Sequence, residues 1–106
     1  MIKAVYYRKY NRLTVEGHAY SADPGHDLIC ASASMLAYTL AVNVANMADN
    51  GQIRQPIIEN TPGKAEISCT PRPNLRNTVT LVFDSICAGF ELLAHNYPEN
   101  ISYEIR

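Results

Sequence analysis

Leu13-Thr14-Val15-Glu16-Gly17-His18-Ala19-Tyr20-Ser21-Ala22-Asp23-Pro24-Gly25-His26-Asp27-Leu28-Ile29-Cys30-Ala31 changes rhythm partway along, and that change decides the fold. From 13 to 19 the residues alternate, with Leu13 and Val15 on one face and Thr14, Glu16 and His18 on the other. Period two is the pattern of a strand with one buried face. Residues 20–26 carry Ser21, Asp23, Pro24 and Gly25, a loop composition with a turn signal. From about 28 the spacing lengthens. Ile29, Leu36, Leu40, Val44 and Met47 recur near helical period until Asp49-Asn50-Gly51 stops the helix. Ala33, Ala37, Ala41 and Ala45 add a row of small residues that lets this helix lie close to a sheet or a partner.

Working outward, residues 2–8 alternate as well, with Ile2, Ala4 and Tyr6 opposite Lys3, Val5 and Tyr7. Tyr10-Asn11-Arg12 supplies the turn, so 2–8 and 13–19 predict an antiparallel hairpin. Strand parity then places His18 opposite the apolar face of its strand. Residues 55–59 and 64–69 flank Thr61-Pro62-Gly63 and predict a second hairpin. A second helix is expected over about 75–96, with Val79, Val82, Phe83, Ile86, Phe90 and Leu93 as its apolar stripe. Pro98 ends it, and Ile101, Tyr103 and Ile105 make a closing strand. The order ββαββαβ predicts one α+β domain over 1–106: a mostly antiparallel sheet with two helices packed on one face.

The 106-residue chain has a net charge of −1 and no long basic run, so direct nucleic-acid binding is not expected. Arg8, Lys9 and Arg12 form a small cluster at the first turn. Three cysteines without a close pair point to a reducing compartment rather than a disulfide scaffold. The N-terminus lacks the apolar core of a signal peptide, and no apolar run approaches the ~20 residues of a membrane span. The expectation is a soluble, cytoplasmic protein without a membrane partner.

Chemistry concentrates at Cys30. A free thiol with a pKa near ~8.5 is only slightly ionised at neutral pH, and the thiolate is the nucleophile. With Asp27 as helix N-cap, Cys30 falls in the first helical turn and feels the helix dipole, an effect of ~0.3–1 kcal/mol. That is too little to activate a thiol, so His18 is the partner that must be close. First-turn N–H groups are candidate donors to an oxyanion. Asp27 has two competing roles, capping the helix or orienting His18. Ser34, one turn beyond Cys30, is expected to bond back to the Cys30 carbonyl. Cys69 and Cys87 read as core residues and His95 as a structural residue of the last helical turn. Tyr20 and Tyr38 are candidates for lining a peptide groove. A second class of function is a small metal-binding module, since His18, His26, Asp27 and Cys30 are zinc-type ligands. No Cys-x-x-Cys or His-x-x-x-His pair preorganises such a site, and neither metal nor other cofactor is expected.

Gly17-His18-Ala19, then Gly25-x-Asp27-x-x-Cys30-Ala31-x-x-Ser34, resembles the signature of the ribosomal-processing cysteine protease family Prp (YsxB-like). The late segment Gly89-Phe90-Glu91-Leu92-Leu93-Ala94-His95-Asn96-Tyr97-Pro98 is similar to the family's helix end, and the resemblance covers essentially the whole chain. It implies a small bacterial α+β homodimer without a cofactor. It further implies removal of a short N-terminal extension from the large-subunit ribosomal protein numbered twenty-seven. On that reading His18 matches the general base and Cys30 the nucleophile, while Gly17, Asp27 and Ser34 match other motif positions. Gly25 matches a loop that moves over the substrate; independently, the small polar residues flanking Pro24 and Gly25 give 20–26 little apolar surface to hold them down, so they are expected to be mobile until peptide binds. Tyr20-Ser21-Ala22 departs from the common Gly-Tyr-Ala, and His26 occupies a variable position. The alternative within this resemblance is a non-catalytic ribosome-assembly or interaction protein.

Overall fold

Alternation at the N-terminus builds the first pair of strands, β1 (Ile2–Tyr7) and β2 (Arg12–Glu16). A 3-10 turn over Arg8–Tyr10 joins them, closed by Asn11 at φ 46°. Asn11 is buried, and its Nδ2 donates to Thr80 Oγ1 at 3.1 Å. The computed structural model describes residues 1–18 and 25–106, residues 25–27 by their backbone alone. The remaining elements are α1 (Gly25–Asp49), β3 (Ile53–Thr61), β4 (Lys64–Pro71), α2 (Arg76–Asn96) and β5 (Ile101–Ile105). A further 3-10 turn, Pro73–Leu75, leads into α2. The order is the expected ββαββαβ.

The strands form one five-stranded sheet in the order β3-β4-β2-β1-β5. β1–β2, β2–β4 and β3–β4 pair antiparallel, while β5 joins β1 in parallel because α2 carries the chain across the sheet. Register aligns Ala4, Val15, Ala65 and Asn60 in one cross-strand row, and Tyr6, Leu13, Ile67 and Ile58 in the next. Both rows face the helices. Ala33, Ala37, Leu40, Ala41, Val44 and Met47 of α1 share a core with these rows and with Val79, Phe83, Cys87 and Phe90 of α2. Each buried Phe of that set contributes about 1.5–3 kcal/mol relative to exposure. Ala45, the fourth alanine of the row, is exposed: a spacing of four drifts off a face of period 3.6.

α1 begins at Gly25, three residues before the expected start, which alters the reading of the site below. β3 also runs longer than 55–59, past an irregularity between Arg54 and Ile57 where Gln55 has φ 51°. The segments Leu28–Asp49 and Pro73–Asn96 are long and apolar enough to cross a membrane by length and composition, contrary to expectation. The expectation counted unbroken apolar runs, whereas Ser, Thr and Asn scattered among Ala, Leu and Val do not offset their hydropathy. In this fold each of these helices lays one face on the sheet.

Tyr6 ties α2 to the sheet. Its ring is buried beside Phe83, and its hydroxyl donates to Asp84 Oδ1 at 2.8 Å. Arg8 grips the same carboxylate twice, at 3.0 and 3.1 Å. The Arg8 hydrogen bond, with the Tyr6 hydroxyl adding to it, holds the Asp84 carboxyl below its ordinary pKa against the opposing effect of burial. A carboxyl lowered on folding stabilises the protein above its unfolded value, ~3.9. That contribution is lost as pH falls through the folded value. Asp84→Ala leaves the buried Tyr6 hydroxyl without its acceptor and is expected to lower the unfolding free energy by ~1–3 kcal/mol in urea melts. The variant should also lose part of the parent's drop in stability below pH 4.

Candidate active site

β2 ends at Glu16, and Gly17 turns the chain with φ +100°. A Cβ there would collide with the Met1 carbonyl oxygen, so only glycine lets the two backbones approach so closely. The Gly17 N–H donates to the Gly63 carbonyl at 2.9 Å, and the Met1 nitrogen donates to the His18 carbonyl at 2.9 Å. His18 is thus held by its neighbours on both sides. Period two ends with the strand, and His18 does not continue it. Its side chain lines a cavity together with Ile2, Val15 and Ala65, on the helix-covered side of the sheet. The parity argument that set it opposite Val15 is therefore corrected, although His18 is exposed as expected.

The opposite wall comes from α1. Cys30, Ala33, Ser34 and Ala37, spaced by about one turn, face the same cavity of about 210 Å³. Cys30 is half-buried, whereas Cys69 and Cys87 are buried in the core. Burial pushes the Cys69 thiol up to about 11 and the Cys87 thiol up to about 12, so neither is a thiolate at neutral pH. With α1 starting at Gly25, Asp27 is the third helical residue and not the N-cap. Cys30 is the sixth, beyond the first turn, where the dipole has little hold on it. Its own N–H belongs to the i→i−4 ladder, so it is not the free oxyanion donor expected from the sequence. Ser34, among the described residues, makes no bond to the Cys30 carbonyl. The serine that bonds back in this turn is Ser32, to the Leu28 carbonyl at 2.7 Å. Gly25 opens the helix. The side chains of His26 and Asp27, and the loop 19–24 with Tyr20, lie outside the described residues.

A third wall was read from the sequence only as a turn. The tip of the β3–β4 hairpin, Asn60-Thr61-Pro62-Gly63-Lys64, borders the cavity. Gly63 has φ +80°, as the residue after proline in a type II turn requires. A Cβ on Gly63 would collide with Nε2 of His18 and come within 2.8 Å of Cε1. The imidazole therefore rests on a bare glycine Cα. The Pro-Gly dipeptide signalled the turn, but nothing local in the sequence signals that another segment packs on it. Tyr38 does not line this cavity, and among the described residues no three His, Cys, Asp or Glu side chains cluster as metal ligands.

A thiol and an imidazole on facing walls of a cavity bounded by small residues suit nucleophilic attack on a carbonyl, with proton transfer by the ring. Gly63→Ala is expected to destabilise the fold by ~1–2 kcal/mol through its backbone angle. It should also move the His18 imidazole resonances in NMR spectra. Gly51→Ala is the control. Gly51 has φ +70° with nothing within 4 Å, so it should incur the strain and leave His18 in place.

The fold is similar to that of SMU.848 from Streptococcus mutans, at 22% identity and a TM-score of 0.68, over 98% of this chain and 90% of that one. It is similar also to the essential ribosomal processing protease Prp from S. aureus in complex with a substrate peptide, at 17% identity and a TM-score of 0.69. The same S. aureus protein in complex with a covalently linked product peptide gives 18% and 0.70. In both complexes the likeness covers 99% of this chain and 97% of that one. A comparison with curated proteins finds no match. The profile of the family described as cysteine protease Prp matches residues 1–102, nearly the whole length, and the chain accordingly belongs to that family of cysteine proteases.

Proposed function

We propose that this chain is a cytoplasmic endopeptidase of ribosome maturation that uses Cys30 as nucleophile and His18 as base. Its proposed substrate is the large-subunit ribosomal protein numbered twenty-seven, from which it removes a short N-terminal extension. The observation that carries the reading is the shared cavity, onto which the end of β2 presents His18 and α1 presents Cys30. The S. aureus complexes with substrate and covalently linked product peptides support a peptide as the occupant.

His18 takes the proton from Cys30 Sγ, which attacks the scissile carbonyl carbon of an extended peptide. The tetrahedral intermediate collapses as His18 hands that proton to the leaving amine, and a thioester remains. Water then attacks the thioester with His18 again as base, releasing the carboxylate and restoring the thiol. Since Cys30 lies beyond the first turn, His18 carries most of the thiol activation. The backbone of Asp27 lies inside the helix rather than at its cap, so of its two candidate roles we retain the orienting of His18, and Gly17 and Ser34 border the cavity around the pair.

We assign the working state to a homodimer. Leu28, Met35 and Leu92 are exposed around an apolar groove between α1 and α2, a face of the kind that a second copy covers. Sedimentation should give twice the 11.8 kDa chain mass, and Leu92→Asp should shift the population to monomer. A parent that stays monomeric at high concentration overturns this assignment. For the activity, the extended ribosomal protein is incubated with parent and variants and its N-terminus is sequenced. Cys30→Ala should abolish cleavage, and His18→Ala should slow it by ~10²–10⁴-fold and also slow alkylation of Cys30 below pH 8. Undiminished cleavage by Cys30→Ala would sink the mechanism. An intact chain that leaves the ribosomal protein uncut while binding it favours the interaction protein.

A further inference from the structure

We infer that Asn60 is a substrate-binding residue of the Cys30 cavity, its side-chain carboxamide pairing with a main-chain amide of the bound peptide; this rests on the peptidase reading. Asn60 lies near the end of the edge strand β3, opposite Ala65 in the row that continues through Val15 to Ala4. Side chains in such a row share one face, and this is the face that α1 covers. Two residues earlier on that face stands Ile58, whose partner Ile67 is fully buried. Ile58 itself is 43% exposed, so the core ends along this strand, and Asn60 stands half-buried at its margin, where the cavity begins.

Hydrogen bonding within the fold does not use the donor of the Asn60 amide. Its Nδ2 is sealed from solvent and finds no hydrogen-bond partner, a rare condition for a buried donor. The other polar groups of the hairpin wall are engaged. Thr61 Oγ1 donates to the Lys64 carbonyl at 3.4 Å, Lys64 pairs with Glu59 at 3.9 Å, and the Gly63 carbonyl accepts from Gly17 at 2.9 Å. Asn60 keeps an unused donor in a residue that borders the same cavity as His18 and Cys30. The terminal torsion of Asn is broad and roughly two-fold. A half-turn about Cβ–Cγ exchanges the two ends of the amide and brings the donor to the cavity. In that orientation the Nδ2 donor meets the carbonyl that every peptide bond offers. This recognition reads no side chain, so it holds the backbone and leaves sequence preference to other contacts. A site built to hydrogen-bond its substrate loses far more from deletion of the pairing group than from a change of apolar contact.

Asn60→Leu keeps the approximate shape and removes both hydrogen-bonding ends; Asn60→Asp keeps the shape and replaces the donor by an acceptor. Each is placed in the Cys30→Ala background, and binding of a fluorescein-labelled peptide spanning the junction of the ribosomal protein's extension is followed by anisotropy. Asn60→Leu should weaken Kd by about tenfold or more, and Asn60→Asp further, because a carboxylate repels the peptide carbonyl. With Cys30 present, alkylation of the thiol should proceed at the parental rate in both. The melting temperature of Asn60→Leu should hold or rise, since an unpaired buried donor has been removed. A Kd within twofold of the parent's for both variants overturns the assignment while the peptidase reading stands. A fall in melting temperature with Kd unchanged makes Asn60 a structural residue and overturns it too. If the parent neither binds nor cleaves the peptide, the peptidase reading itself fails and takes this inference with it.

Discussion

Everything at the cavity depends on the backbone of Gly17. At φ +100° the chain leaves β2 with a turn that an L side chain would block, because its Cβ would meet the Met1 carbonyl. That close approach lets the start of β1 and the tip of the β3–β4 hairpin converge on one residue. Met1 holds the His18 carbonyl and the Gly63 carbonyl holds Gly17, so a segment just beyond a strand is tethered from two other parts of the chain. The same turn carries the imidazole across to the helix side, where Cys30 is. A strand that continued its alternation would have kept histidine and thiol on opposite sides of the sheet.

Room for this meeting comes from small residues. Ala33 and Ala37 on α1 and Ala65 on β4 leave about 210 Å³ where larger side chains would have closed the core. The sheet nearby is tightly filled: Tyr6, Leu13, Ile67, Phe83 and Phe90 are all essentially inaccessible. The core therefore thins toward the end of the sheet that holds the hairpin tip, and the cavity opens there. Rigidity comes from the opposite end, where Tyr6, Arg8 and Asp84 fasten α2 to β1. A helix, a strand end and a tight turn border the cavity, so its shape is set by elements that the rest of the fold holds in place.

Much of this was legible in the linear pattern. Alternation over 2–8 and 13–19, where the strands run Ile2–Tyr7 and Arg12–Glu16, helical spacing after 28, the Thr61-Pro62-Gly63 turn and the closing strand set the order of elements, because each is a local periodicity or turn preference. The start of α1 was misplaced by three residues. Asp is a good cap anywhere, so Asp27 drew the boundary to itself, and Gly25 was counted with the loop. His18 and Cys30 were identifiable by type and spacing. The side of the sheet on which His18 emerges was not, because one positive φ cancels the parity of a whole strand. Gly63 passed as a turn residue because its significance lies in its contact with His18, more than forty residues away in sequence.

By itself the sequence determined the order ββαββαβ and the packing of two helices against a mostly antiparallel sheet, and it offered His18 and Cys30 as candidates. These rest on local spacing, which a chain carries with it before it folds. Only the tertiary structure decided that Cys30 lies in the second turn of α1, that Gly63 is the platform of His18 and that Asn60 keeps an unpaired donor beside the cavity. Those are properties of surfaces brought together over long separations, and a hydrogen bond left unmade is visible only once every neighbour has been placed.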